Sequence, residues 1–400
     1  MPATASFRPP AVATSAVVMA LLPLMAAVLV VFLMTGLAIP VLPLHVHQGL
    51  GLGTFVVGLV AGSQFAASLV SRVWSGHFAD SRGAKRAVTA GLLAAALSGL
   101  LYVASLQFVA APAISTAILL LGRALLGGAE SFIITGALSW GLALVAPRNS
   151  GKVIAWMGTA MYAAFAVGAP AGTALYAAHG FLAIALATTI VPLATLLLIV
   201  PLRPVAPLAR AQPPLATVAR AVLLPGIGLS FSSLGFGAIT TFSTLLFVER
   251  GWMPAWLPLT AFTTSFIIAR IVLGHLPDKL GGAKVTVVSV VIEAAGLTLI
   301  GIAPGPIPAT AGAVLTGLGY ALVYPGLGVE AVRRVPPQSR GLAMGTYTAF
   351  FDLGIGITSP VLGLIGGGAG LGSVFLAGAV VVLCAAAIAA RLLQTPAGPP

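Results

Sequence analysis

Seven carboxylates carry all the negative charge of this 400-residue chain: Asp80, Glu130, Glu249, Asp278, Glu293, Glu330 and Asp352. Glu130, Glu293 and Asp352 lie inside long apolar runs, as do the arginines Arg72, Arg123 and Arg270. A carboxyl in such surroundings is a candidate to exchange protons, because desolvation disfavours its charged form. A charge at mid-membrane costs about 2.5–3.5 kcal/mol on insertion scales, so charges that persist there mark proton, ion or substrate paths. Arg123, Gly127 and Glu130 are spaced i, i+4, i+7, which is one helical face. Arg123 and Glu130 then lie about 10 Å apart along the axis, too far for an easy direct pair, and both are expected to line a cavity. Asp352 sits in Phe350-Phe351-Asp352-Leu-Gly-Ile-Gly, beside glycines that allow bending. Two readings stand for Glu293: a packing contact with a nearby Ser or Thr, or a part in coupling. Two also stand for Arg72 and Arg270: snorkelling to the membrane surface, or pairing within a gate.

The elements that must hold these residues follow from composition. Hydrophobic residues make up 59% of the chain and charged residues 6%, where a soluble domain carries about 25% charged. So few charges cannot cover a soluble surface, and the chain is read as a polytopic membrane protein. Its 48 glycines and 29 prolines are tolerable in membrane helices, where neighbouring helices satisfy freed backbone groups. The net charge of +12 does not indicate nucleic acid, because the basic residues form short clusters between apolar runs rather than one polar face. Phosphate-loop, Ser/His/Asp and Cys/His constellations are absent, as is a metal-ligand set, so neither an enzyme nor a cofactor is expected. The single cysteine, Cys384, cannot form an intramolecular disulfide.

A span needs about 20 mainly apolar residues. Twelve such runs are read at 15–41, 54–76, 86–108, 112–144, 152–177, 180–201, 221–248, 254–274, 284–303, 309–331, 341–365 and 371–393. The fold class expected is an all-α membrane protein of twelve transmembrane helices in two pseudo-symmetric six-helix bundles. With the N-terminus inside, fifteen of the nineteen Lys and Arg fall on the inner side, Arg250 alone falls outside, and Arg72, Arg123 and Arg270 lie within spans. That asymmetry orients the protein with both termini in the cytoplasm. The longest inner connection, 202–220, is Pro-rich and basic. It divides the chain into a first bundle at 1–201, a cytoplasmic linker at 202–220 and a second bundle at 221–400.

The two halves share a segment. Arg72-Val-Trp-Ser-Gly76-His-Phe-Ala-Asp80-Ser-Arg-Gly83-Ala-Lys85-Arg86 follows the second span, and Arg270-Ile-Val-Leu-Gly274-His-Leu-Pro-Asp278-Lys-Leu-Gly281-Gly-Ala-Lys284 follows the eighth. A second echo, Met157-Gly158-Thr159 against Met344-Gly345-Thr346, follows the loops after spans four and ten. Parallel repeats place a site at their interface near the bilayer midplane, worked by rocking one bundle against the other. Within the loop segment, Gly76 without a side chain would let a neighbouring helix approach, and Gly83 permits a sharp turn. Asp80 is a lone acid in a basic loop, able to pair with Arg86 or Arg148 or to sit at a helix N-terminus.

Gly76-x-x-x-Asp80-x-x-Gly83-x-Lys85-Arg86 resembles the signature loop between helices two and three of the major facilitator superfamily. Arg123-x-x-x-Gly127 resembles that superfamily's helix-four motif, and Gly168-Ala-Pro170-Ala-Gly172 is similar to the Gly/Pro motif of its proton-coupled exporters. The exporter pattern has Gly directly before Pro and a Gly pair afterwards, from which this sequence departs. The resemblance covers essentially the whole chain and is nearest to the bacterial sugar-efflux and drug-efflux branch. It implies a monomeric secondary transporter of the bacterial cytoplasmic membrane that exchanges protons for a small-molecule substrate, with bilayer lipid as its other partner. It also implies an inner gate built from Gly76, Asp80, Gly83, Lys85, Arg86, Asp278, Gly281, Arg72 and Arg270, with Asp80 meeting the start of helix eleven near Gly341. Family architecture sets helix nine, and Glu293 with it, at the periphery. Proton-coupled uptake, metabolite efflux, a passive channel and a lipid translocator are the alternative readings on the same fold. A mainly apolar cavity with isolated charges suits a small amphipathic or cationic compound, and a single asparagine, Asn149, weighs against a sugar. Reporter fusions after Arg210 and Arg391 are expected to read as cytoplasmic; an external reading at either position overturns the span count.

Overall fold

The computed structural model describes residues 14–145, 150–205, 215–336 and 340–394. Arg8, Arg148, Arg210 and residues 206–214 of the expected linker lie outside the described residues. In lipid a backbone N–H or C=O cannot bond to water, so each apolar run closes its own hydrogen bonds as a helix. The helices are α1 (Thr14–Leu44), α2 (Thr54–Arg82), α3 (Ala84–Ser105), α4 (Pro112–Leu144), α5 (Ser150–Ile199), α6 (Leu215–Glu249), α7 (Leu257–Leu273), α8 (Leu276–Leu280), α9 (Gly282–Gly301), α10 (Pro306–Val332), α11 (Arg340–Ala369) and α12 (Leu371–Gln394). Ten are long and apolar enough to cross a membrane, and α7 is a shorter apolar helix. Gly180, at φ 68°, breaks α5 into two arms. With α5 counted as two spans, these helices account for all twelve apolar runs.

Packing repeats between the halves. In the first, α1 packs on α5, α3 on α4, α2 on α4 and α3 on α5; in the second, α6 packs on α11, α9 on α10, α7 on α10 and α9 on α12. The two halves are thus built to one plan. They meet along α2 with α11, α5 with α7, and α1 with α6. The repeated loop has one backbone geometry: Gly83 and Gly281 both adopt φ 96°, with ψ 146° and 134°. A side chain is strained at that φ, which is why glycine recurs there.

Backbone contact between helices needs small residues. A Cβ at Gly172 would lie 2.2 Å from the Leu37 carbonyl oxygen, so α5 is pressed against α1. Between the bundles, a Cβ at Gly58 would lie 2.2 Å from the Ser359 carbonyl oxygen, and the Thr54 hydroxyl donates to the Gly363 carbonyl at 2.7 Å. The α2–α11 seam thus closes the end of the molecule that carries the α1–α2 and α11–α12 turns. The opposite end, where α2 turns into α3 and α5 runs towards residues 200–215, is the linker end. Here the close approach expected of Gly76 is corrected: among the described residues, a Cβ there would meet nothing within 4 Å. Gly76 lies past the point where α2 leaves α11, and its neighbour Trp74 is 66% exposed.

Gly172→Ala is therefore expected to lower thermal stability in detergent, with an overpacking cost of about 1–3 kcal/mol. Gly76→Ala is expected to leave stability unchanged or raise it by up to about 1 kcal/mol through helix propensity. Equal effects of the two substitutions contradict this packing assignment.

Candidate substrate and ion-coupling site

Gln64, Ser68, Arg72 and Ser75 recur at helical spacing and form one polar face of α2. Gly127 lets that face meet α4, because its Cβ would lie 1.9 Å from the Gln64 carbonyl oxygen. The polar groups then pair across the contact. Glu130 Oε1 accepts from the Thr35 hydroxyl at 2.5 Å and from Gln64 Nε2 at 2.7 Å. Farther towards the linker end, Ser68 and Ser131 hydroxyls lie 2.9 Å apart, and those of Ser75 and Thr135 lie 3.2 Å apart. The result is a ladder of hydroxyl, amide and carboxyl groups running down the inside of the first bundle.

The second bundle joins this ladder at Asp352 of α11. Asp352 Oδ2 accepts from the Arg72 Nε in an ion pair and from the Ser68 hydroxyl at 3.4 Å. The Asp352 side chain is 2% exposed and that of Arg72 24%. The mate of Arg72 thus comes from the other bundle. Beside the pair, the Tyr324 and Thr348 hydroxyls lie 2.6 Å apart. Aromatic rings from both halves line the interface: Phe65 meets Phe351 and Phe236, and Tyr162 stacks on Phe266 at 3.8 Å.

Arg123 stands one to two turns from Glu130 towards the closed end. It is 2% exposed, and its Nε and Nη1 have no hydrogen-bond partner among the described residues. It lines a small cavity with Phe65, Thr240 and Thr241, roomy enough for about one water molecule. Glu293 is not part of this site. The Ser232 hydroxyl donates to its Oε2 at 2.6 Å, between α6 and α9 inside the second bundle. Arg270 is likewise held within that bundle, its Nη1 donating to the Ala321 carbonyl at 3.0 Å.

The residues expected to gate separate into two groups. Lys85 Nζ donates to the carbonyls of Val200 and Leu202 at 2.6 and 2.7 Å, tying the loop to the end of α5. Asp80, Arg86 and Asp278 are exposed at the linker end. Gly168 and Gly172, flanking Pro170, pack against Gly36 and Leu37 of α1. Sequence reasoning passed over Thr35, Gln64 and Ser68. Gln64 had a usable signal, a primary amide deep in an apolar run; Thr35 and Ser68 had none, because Ser and Thr recur throughout membrane helices and bond their own backbone.

Comparison with known proteins accords with this geometry. The Major Facilitator Superfamily model matches residues 24–259 and 251–400. The chain belongs to the major facilitator superfamily. An uncharacterized transporter of that type from Salmonella typhimurium is 40% identical over 369 residues, covering 92% of this chain and 95% of its own length. One from Burkholderia mallei is 42% identical over 368 residues, covering 91% and 89%. Among solved structures, a bacterial homolog of the human lysosomal transporter Spinster, inward-facing and unoccupied, aligns with TM-score 0.79 at 14% identity, over 97% of this chain and all of that one. A D-xylose–proton symporter aligns with TM-score 0.75 at 14% identity, over 94% and 98%. These relatives are transporters, not enzymes, and this chain is a multi-pass membrane transporter.

Breaking the Arg72–Asp352 pair leaves one charge without its mate. Arg72→Met and Asp352→Leu are each expected to lower stability in detergent by about 1–3 kcal/mol, and the double variant to recover part of the loss. The coupling energy expected from the cycle is about 0.5–3 kcal/mol; additive losses would show that the pair contributes no net coupling.

Proposed function

We propose that the protein is a proton-coupled exporter of a small amphipathic compound, of the efflux-like kind, working by alternating access in the bacterial cytoplasmic membrane. The observation that carries this reading is the Arg72–Asp352 ion pair, which joins the two bundles at the foot of a polar ladder containing Glu130. Rocking of one bundle against the other must separate Arg72 from Asp352, so the cost of reorientation depends on the charge of Asp352. A proton on Asp352 removes the Coulomb attraction and lowers that cost; a proton on Glu130 removes its charge from the cavity that substrate enters. Coupling then consists of protons and substrate altering the same inter-bundle contacts, with Glu130 and Asp352 as the titrating groups.

In the orientation expected from the basic residues, the linker end is cytoplasmic and the α2–α11 seam closes the external end. The first bundle, 1–201, and the second, 221–400, then act as the two rocking bodies joined by 202–220. Asp80, with its repeat Asp278, serves the gate that closes the cytoplasmic end in the opposite state, supported by the shared turns at Gly83 and Gly281 and by the Lys85 tether. Glu293, bonded within the second bundle, has a packing role here rather than a coupling one.

The test uses inverted membrane vesicles with an acid interior and a fluorescent weak base as reporter. A compound library containing an exported substrate is expected to dissipate the gradient with native protein. Glu130→Gln, which mimics the protonated carboxyl, is expected to reduce that response at least tenfold, on the scale typical of general acid–base groups, and to remove the pH dependence of substrate binding. A response unchanged in Glu130→Gln moves the coupling role to Asp352. Substrate-driven proton entry into intact cells, with no response in inverted vesicles, assigns uptake instead.

A further inference from the structure

We infer that Arg123 is the anchor for a carboxylate on the transported compound, held where α1, α2, α4 and α6 converge beneath the closed end. This inference deepens the transport reading and rests on it. Arg123 is buried, and two of its three guanidinium nitrogens have no hydrogen-bond partner among the described residues. A guanidinium is always charged, and an unpaired buried charge costs several kcal/mol, so its persistence calls for an anion that completes it. Glu130 does not fill those nitrogens: its Oε1 accepts from Thr35 and Gln64, and from about 10 Å farther along the α4 axis it acts on Arg123 through its charge alone. Asp352 does not do so either, since it pairs with Arg72.

The surroundings of Arg123 narrow the ligand. The cavity wall is apolar at Leu42, Val57 and Phe65, and its polar groups besides Arg123 are Thr240 and Thr241. The Thr240 hydroxyl donates to the Phe236 carbonyl at 2.8 Å, so the donors offered to the cavity are one cation and the Thr241 hydroxyl, which match one negative charge with two acceptor oxygens, a carboxylate in the fork of a guanidinium. A phosphate dianion would need a second cation, and Arg123 is the cation lining this cavity. The apolar wall suits a carboxylate on a hydrocarbon or aromatic frame. A cationic compound, the other class expected from the sequence, would meet a buried like charge. Arg123 belongs to the first bundle and Thr240 and Thr241 to the second, so a carboxylate between them bridges the halves. The cavity's present size fits the acid group alone, and the aromatic rings around Phe65, Phe236 and Phe351 offer faces for the rest of the molecule as the bundles move.

Benzoate, benzyl alcohol and benzylamine share one frame and differ in charge, which makes them suitable probes. Thermal unfolding of the purified full-length protein in detergent is measured with each at equal concentration and ionic strength, with sodium chloride as the matched control. Benzoate is expected to raise the midpoint by about 2 °C or more, and the other two and chloride to leave it unmoved. Arg123→Gln is expected to weaken benzoate binding at least tenfold, and Arg123→Lys, which keeps the charge but not the fork, to weaken it less. Thr241→Ala gives a second reading should Arg123→Gln fail to fold. Any of four results overturns the inference: no effect of benzoate, an equal effect of benzylamine or benzyl alcohol, an equal effect of chloride, or benzoate binding unchanged in Arg123→Gln. Gradient dissipation in inverted vesicles is read separately. Arg123-dependent benzoate binding without proton exchange defeats the coupled-export reading and leaves the anion site standing. Proton exchange without benzoate binding does the reverse.

Discussion

With so little water inside a bilayer, a polar group that faces the protein interior is costly unless it finds a mate there, and that constraint organises most of this molecule, Arg123 being an exception. Its α2–α4 contact shows the consequence. Gly127 brings two helix backbones together at Gln64, and only then can Gln64, Ser68 and Ser75 satisfy Glu130, Ser131 and Thr135 in turn. A bulky residue at Gly127 would separate the helices and strand several polar groups at once, each at a cost of about 1–3 kcal/mol. The ladder is thus a packing device as much as a chemical one.

The same constraint links stability to motion. Across the bundles, the bonds among the described residues are few: hydroxyls to carbonyls at Thr54 and Gly363 and at Thr260 and Ala166, a hydroxyl to a carboxylate at Ser68 and Asp352, and the Arg72–Asp352 pair. Close backbone contact at Gly58 adds dispersion without directional bonds. Such an interface holds firmly but separates without exposing long unpaired stretches of backbone, because each helix retains its own hydrogen bonds. Charge is concentrated at one bridging pair, so protonation acts on the interface at a single place. The interior of each bundle, including Glu293 with Ser232, need not rearrange.

The repeat is similar in backbone but unequal in side chains. Both copies make the same turn at Gly83 and Gly281. Lys85 caps the carbonyls at the end of α5, a favourable place for a cation at a helix C-terminus, whereas the matching position in the second copy is Ala283. The first loop is therefore anchored to its bundle through a bond that the second loop cannot make.

Much of the fold was legible in the chain itself. Charge content of 6% demanded a membrane setting, run lengths gave the spans, and a repeat offset of 198 residues, from Arg72 to Arg270, gave two bundles, because span length and backbone satisfaction are local demands. The chemistry was legible only as a set of isolated residues: Glu130, Arg123, Asp352 and Arg72 each stood out as a charge in an apolar run. Which of them meet was decided by tertiary packing. Arg72 and Asp352 are 280 residues apart and join because α2 crosses α11; Glu293, similar in sequence context, is turned into its own bundle. Gly76 and Gly58 show the same limit. Glycine permits close approach wherever it occurs, and only the path of the neighbouring helix determines whether that permission is used.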